Sequence, residues 1–135
     1  MSVILVPVDG SSHALKALHI ASDLADKYGA EVALLHVIGA HADQVPDDQR
    51  DLLKTRANEI LQQAEAKVQH RGVKFRVLDI EIGDPAEAIL IAARKVKPST
   101  IVMGCRGASE TARNSFGSVS QLVFQRSDCT CISVK

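Results

Sequence analysis

Short apolar runs alternate with longer amphipathic stretches along the whole chain. Val3-Ile4-Leu5-Val6 is short, rich in β-branched residues and free of polar alternation, the pattern of a strand buried on both faces. Pro7 has no amide hydrogen for a ladder and is expected at the carboxyl end of that strand. Asp9-Gly10-Ser11-Ser12 then predicts a turn and an N-cap. From His13 to Tyr28 the apolar residues Ala14, Leu18, Ala21, Ala25 and Tyr28 recur in steps of four and three, with Ala17 and Leu24 on the same side. That is one face of a helix, and Gly29 follows as its C-cap.

The cycle repeats. Glu31 to Val37 predicts a second strand, Gly39 to Pro46 a loop, and Asp47 to His70 a long helix closed by Gly72. Val73, Phe75 and Val77 alternate, then the phase slips to Leu78, Ile80 and Ile82. The slip predicts one exposed or edge strand carrying a bulge. Asp84 and Pro85 are an N-cap and a first helical residue, opening a helix that ends near Lys97-Pro98. Thr100 to Met103 is a fourth strand, Ser118 to Gln125 a short helix, and Cys129 to Val134 a fifth strand. Strands alternating with helices imply an α/β fold of Rossmann-like type. Its open five-stranded parallel sheet would have right-handed crossovers and helices on both faces.

Composition narrows the function classes. The 135 residues suit a single domain over 1–135, and 46% apolar content excludes intrinsic disorder. Sixteen Lys and Arg balance sixteen Asp and Glu, which argues against a general nucleic-acid or anionic-membrane binder. Neutrality still permits a small anion site built by local geometry. No apolar run is long enough to span a bilayer, and Met1 to Val6 has neither a basic region nor a cleavage pattern. The chain reads as cytoplasmic. Cys105, Cys129 and Cys131 are odd in number, and Cys129-Thr130-Cys131 lacks the two-residue spacer of a redox or zinc motif. On a strand the last two share a face and are expected to be buried as small apolar groups. The five histidines have no metal-ligand spacing, and no metal-binding residue is expected.

In open parallel sheets ligands collect beyond the carboxyl ends of the strands, where the strand order reverses. Two segments leaving strands have unusual composition: Val6-Pro7-Val8-Asp9-Gly10-Ser11, and Met103-Gly104-Cys105-Arg106-Gly107 with Gly117-Ser118 beyond it. Gly104 and Gly107 can adopt positive φ and present amides as an anion nest. Gly117 would allow close approach of a ligand, and Ser118, Val119 and Ser120 would offer the amides of a helix N-terminus. Charge-assisted hydrogen bonds contribute about 1.5–3 kcal/mol each, against about 8 kcal/mol for micromolar binding, so several must act together. The same glycines also suit a plain strand end and helix start, and Asp9 could serve only as a cap.

The spacing Gly104-x2-Gly107-x9-Gly117-Ser118 matches the nucleotide-binding signature of the universal stress protein family, in its ATP-binding branch. Val6-Pro7-Val8-Asp9-Gly10-Ser11, Leu35-His36-Val37, Gly83-Asp84-Pro85 and Ile101-Val102-Met103-Gly104 also resemble that family, so the likeness spans essentially the whole chain. It implies that Pro7, Asp9 and Val37 contact the nucleoside, with Met103 nearby. Gly104, Gly107, Gly117, Ser118 and Val119 would hold the phosphates of ATP, accompanied by Mg²⁺. Arg106 and Ser120 join the set as a charge and a donor beside those glycines. The resemblance also implies a homodimer through the last strand, an edge that needs cover. Two departures stand out: Glu110 shares the Ala108 to Phe116 loop with Arg113, and Cys129-Thr130-Cys131 replaces the Cys-Pro-Val frequent in the family.

No nucleophile elbow, catalytic carboxylate pair or Gly-Lys-Ser phosphate loop is present, so no catalytic residue is assigned. The reading is an ATP-binding regulatory or stress-response module with slow hydrolysis at most. The alternatives are a nucleotide-independent dimeric interaction module of the same fold, and an ATP-using enzyme of related architecture.

Overall fold

The computed structural model describes residues 2–106 and 117–135. The main sheet contains β1 (Val3–Pro7), β2 (Glu31–Leu35), β4 (Phe75–Val77), β6 (Thr100–Gly104) and β7 (Thr130–Val134). Its order is β4-β2-β1-β6-β7, and every pairing is parallel. Chain order runs outward in one direction from β1 and in the other from β6, so the reversal falls between those two central strands. Such a crevice is where doubly wound sheets hold ligands. The doubly wound α/β architecture is as expected.

Alternation along the strands divides the core. Ile4, Val6, Val32, Leu34 and Val102 pack with α1 (Ser12–Tyr28) and α2 (Asp47–His70) on one face. Leu5, Ala33, Leu35, Ile101 and Met103 pack with α3 (Pro85–Val96) and α4 (Ser118–Arg126) on the other. Because both faces are covered, the middle positions of the central strands, Ile4 to Val6, Val32 to Leu34 and Ile101 to Met103, are all apolar.

The local signals behave as their chemistry requires. Ser11 caps α1 by accepting the Ala14 amide at 3.1 Å, and Gly29 closes that helix at φ 67°. Asp84 caps α3 by accepting the Glu87 amide, with Pro85 in its first turn. Tyr28 departs from expectation: it is 70% exposed. It is the last residue of α1, and the helical stripe has drifted about 40° over the two heptads since Ala14. Its ring lies 5.9 Å from the Lys27 ammonium instead of in the core.

The segment with the phase slip is not one bulged strand. It divides into β4 in the main sheet and β5 (Glu81–Gly83), which pairs in parallel with β3 (Val37–Gly39) in a separate two-stranded sheet. The second strand divides correspondingly at His36, between β2 and β3. The expected loop after Gly39 contains a 3₁₀ helix, Ala40–Gln44, whose Ala42 joins Ile38 and Ala57 in a small third core. The phase change therefore marks the passage from one sheet to the other.

At the far edge, β7 pairs with β6 as the last strand of the sheet among the described residues and is mostly half-buried. Cys129 and Cys131 both pack on the α3–α4 side, but they are half-buried rather than buried, and the Cys131 thiol meets the Ser127 hydroxyl at 2.9 Å. Burial, then the neighbouring Cys131 thiol, pushes the Cys129 thiol up, away from the thiolate that redox chemistry needs. No helix among the described residues is long and apolar enough to cross a membrane.

Candidate functional site

Two chain segments leave the sheet at the reversal point, from β1 and from β6. After β1, the Val8 amide donates to the Leu35 carbonyl at 2.8 Å, while the Val8 carbonyl meets His36 Nδ1 at 2.7 Å. The buried His36 ring thus ties the ends of β1 and β2 together. Asp9 Oδ1 accepts the Ser11 amide at 2.9 Å, and Gly10 turns the chain at φ 84°. A Cβ on Gly10 would lie 3.3 Å from Ile60 Cγ1 and 3.4 Å from a guanidinium nitrogen of Arg56, which brings a cation of α2 against this turn. Pro7 and Val37, both half-buried, stand at the end of β1 and the start of β3.

After β6 the construction is different. Gly104 does not have the positive φ of an anion nest; it is the final residue of β6. Its missing side chain makes room for α1 instead. A Cβ there would lie 2.7 Å from His13 Cβ and 2.8 Å from the His13 carbonyl carbon. Contacts that short do not occur, so the first turn of α1 can seat on β6 only over a glycine. Cys105 is buried, and its amide donates to the Val134 carbonyl at 2.8 Å. Its carbonyl accepts the Gly117 amide at 2.5 Å. Ser120, 3% exposed, donates its hydroxyl to the Gly104 carbonyl at 2.7 Å. The Ser120 side chain therefore clamps α4 to the end of β6. Met103 is likewise in the core, 5% exposed.

Gly117 is the N-cap of α4 at φ −74°, so it is not held there by conformational need. It leaves the helix N-terminus without a capping side chain, and no acidic residue occupies the first turn. The other helices differ: Ser11 caps α1, Asp47 and Asp48 begin α2, and Asp84 with Glu87 begins α3. A helix N-terminus carries partial positive charge and presents its first amides outward. Among the described helices, α4 is the one whose own sequence supplies neither a side-chain cap nor a carboxylate to that end. Ser118 is exposed, Val119 half-buried, and Arg106 half-buried just after β6. Gly107 and the Ala108 to Phe116 loop lie outside the described residues.

The structure therefore brings Pro7, Asp9, Gly104, Arg106 and the Gly117–Ser120 turn to the carboxyl edge at the strand reversal, and places Val37 on the neighbouring strand. His13, His36 and Arg56 were not assigned a part in the sequence reading. His36 did leave a signal, a polar residue inside an apolar strand. His13 and Arg56 left none, because each reaches the site from a helix whose packing the sequence does not encode locally. Among the described residues no group of three or more His, Cys, Asp or Glu side chains could hold a metal ion.

A parallel sheet with two converging exits at its reversal point, one of them leading to a helix with a glycine N-cap, defines a doubly wound α/β protein. The model of the universal stress protein family matches residues 1–135, and the chain belongs to that family. Universal stress protein YxiE of Bacillus subtilis is 34% identical over 145 residues, covering 97% of each chain. The structure of hypothetical protein MJ0577 superposes with a TM-score of 0.87 at 26% identity, covering 99% of this chain and 95% of that one. The universal stress protein from Archaeoglobus fulgidus, solved in complex with dAMP, has the same fold. Its TM-score is 0.78 at 23% identity, with 100% of this chain and 98% of that one covered.

Proposed function

We propose that this universal stress protein binds an adenine nucleotide, ATP with Mg²⁺, at the carboxyl edge between β1 and β6, and acts as a nucleotide-dependent regulatory module. The observation that carries the reading is the N-terminus of α4, capped by Gly117 and without a carboxylate in its first turn. A phosphate there meets outward amides and a favourable helix dipole. The dAMP complex of the Archaeoglobus fulgidus protein supports an adenine nucleotide as the ligand class. Asp9, Pro7 and Val37 would hold the nucleoside, while Gly117, Ser118 and Val119 would hold phosphate, with Arg106 and Gly107 beside them. Gly104 and Ser120 act as positioning residues, fixing α1 and α4 to the end of β6. Mg²⁺ would be carried by phosphate oxygens and water, since the described side chains build no cation cage. The nucleotide supplies a charged, exchangeable group that couples the two exits. Hydrolysis is expected to be slow, and a homodimer through the β7 edge completes the proposal.

The test is the nucleotide content of protein denatured after purification, resolved by anion-exchange chromatography. Adenine nucleotide in the wild type and its loss in Gly117→Val, with the far-ultraviolet dichroism unchanged, is the expected result. An empty wild-type protein that also takes up no added ATP with Mg²⁺ overturns the reading.

A further inference from the structure

A second recess lies away from the strand reversal, between the outer side of α3 and the chain from Leu78 to Gly83. It has a volume of about 400 Å³ and shares no lining residue with the nucleotide site proposed above. Its floor is apolar, built by Leu35, Leu78, Ile82, Ile91 and Val96. Ile82 and Ile91 are 36% and 40% exposed, and Val77, next to Leu78, is among the few other large apolar residues left open to solvent. An apolar floor enclosed by a polar rim is the arrangement found at binding grooves.

The rim has a definite sign. Asp79, Glu81, Asp84 and Glu87 border the recess, and Lys95 is the one cation among its lining residues. None of these four carboxylates lies within 4 Å of a cationic group among the described residues. Asp84 is partly satisfied as the α3 cap, but Asp79, Glu81 and Glu87 are exposed, with no partner of opposite charge. The overall charge of the chain is zero, so this local excess is a property of the groove rather than of the whole surface.

The recess follows α3. Its α3 wall includes Glu87, Ala88, Ile91, Ala92 and Lys95, one face of the helix at steps of one, three and four. The 12 residues of α3 extend about 18 Å. An apolar floor along a helix with a carboxylate rim complements an amphipathic helix bearing Leu-like residues on one side and Lys or Arg at its margins.

We propose that the α3 groove is a docking site for a basic amphipathic helix of a partner protein. Its apolar side chains would cover Leu78, Ile82 and Ile91, and its basic residues would pair with Asp79, Glu81 and Glu87. This surface does not require nucleotide at the strand reversal, so the two sites can be tested separately.

The probe is a fluorescein-labelled helix of about 14 residues, Leu on one face and Lys on the other, chosen to match the length of α3. A second peptide carries Glu in place of Lys. Anisotropy titrations use the wild type, Ile91→Glu, and the double variant Glu81→Lys with Glu87→Lys. Amide chemical shifts of the wild type locate the peptide independently of any variant. Saturable binding of the Lys peptide, a loss of about tenfold or more in each variant, and shifts confined to 77–96 are the expected results. Equal affinity for the Glu peptide, unchanged affinity in the charge-reversed variant, shifts elsewhere, or no saturable binding overturns the proposal. Full displacement by hexylamine at equimolar concentration overturns it in favour of a small amphiphilic amine. A wild-type dimer that Ile91→Glu converts to monomer, seen by sedimentation velocity, overturns it in favour of a second copy of this chain.

Discussion

The two exits at the strand reversal are made of similar residues and solve opposite problems. After β1, Val8 is tied to Leu35 and His36, but the turn into the helix is built locally: Asp9 accepts the Ser11 amide, Ser11 caps α1, and Gly10 supplies the positive φ between them. After β6, the local groups are committed to distant partners. Gly104 makes room for His13, its carbonyl takes the Ser120 hydroxyl, and Cys105 bridges Val134 and Gly117. The consequence appears at the following helices. The N-terminus of α1 is closed by its own serine, whereas the N-cap of α4 is a glycine with no side chain to close it. One exit closes its helix with a side chain, and the other begins its helix on a glycine.

Substituting the glycines separates the two most sharply. Gly104→Ala would drive a Cβ into the backbone and Cβ of His13, and overpacking of that sort costs about 1–3 kcal/mol. Urea unfolding of the variant is expected to show that loss, and an unshifted midpoint would deny the tight seating of α1 on β6. Ser120→Ala should follow, at about 1–2 kcal/mol, because it removes a buried donor from the Gly104 carbonyl. The same denaturation series checks it, with Ser120→Thr as the variant that keeps the hydroxyl. Gly10→Ala should cost about 1 kcal/mol through its positive φ, with the neighbouring Ile60 giving slightly. A larger loss at Gly10 than at Gly104 would invert the comparison.

The smallest effect belongs to a site remote from both exits. Asp23 receives the Arg71 guanidinium, which holds its carboxyl below the ordinary value of 3.8, assisted by the charge of His19. A lowered folded-state value stabilises above the unfolded one and is lost as pH falls through the folded one. Asp23→Asn should therefore lower the thermal midpoint slightly at neutral pH, and the difference from wild type should fade as the pH falls below the ordinary value of 3.8. Asp23 is exposed and Arg71 only half-buried, which keeps the effect small.

Much of this contrast was legible in the chain. Caps written in side chains, at Ser11 and Asp84, could be read because they act within three residues. The helix α2 could be bounded as Asp47 to His70, since Gly72 punctuates its end. The phase slip after Val77 was visible, but not its meaning, because the second sheet depends on β3 finding β5 across more than forty residues. Gly104 illustrates the same limit. Its position beside Gly107 suggested a positive-φ nest, yet the steric demand comes from His13, a residue ninety positions away in sequence. Ser120 looked like a ligand donor for a related reason, since nothing local announces that its hydroxyl is occupied by Gly104. Long-range packing settles which donors are spent.

The central claim is that the end of α4 receives phosphate while the β1 exit holds the nucleoside. Calorimetric titration of nucleotide-free protein with adenosine, AMP, ADP and ATP, in constant Mg²⁺, tests it most directly. Affinity that rises with each phosphate, by about tenfold or more from adenosine to ATP, and a rise that disappears in Gly117→Val while adenosine binding persists, is the predicted result. Equal affinity for adenosine and ATP, or no heat with any of them, would contradict the account.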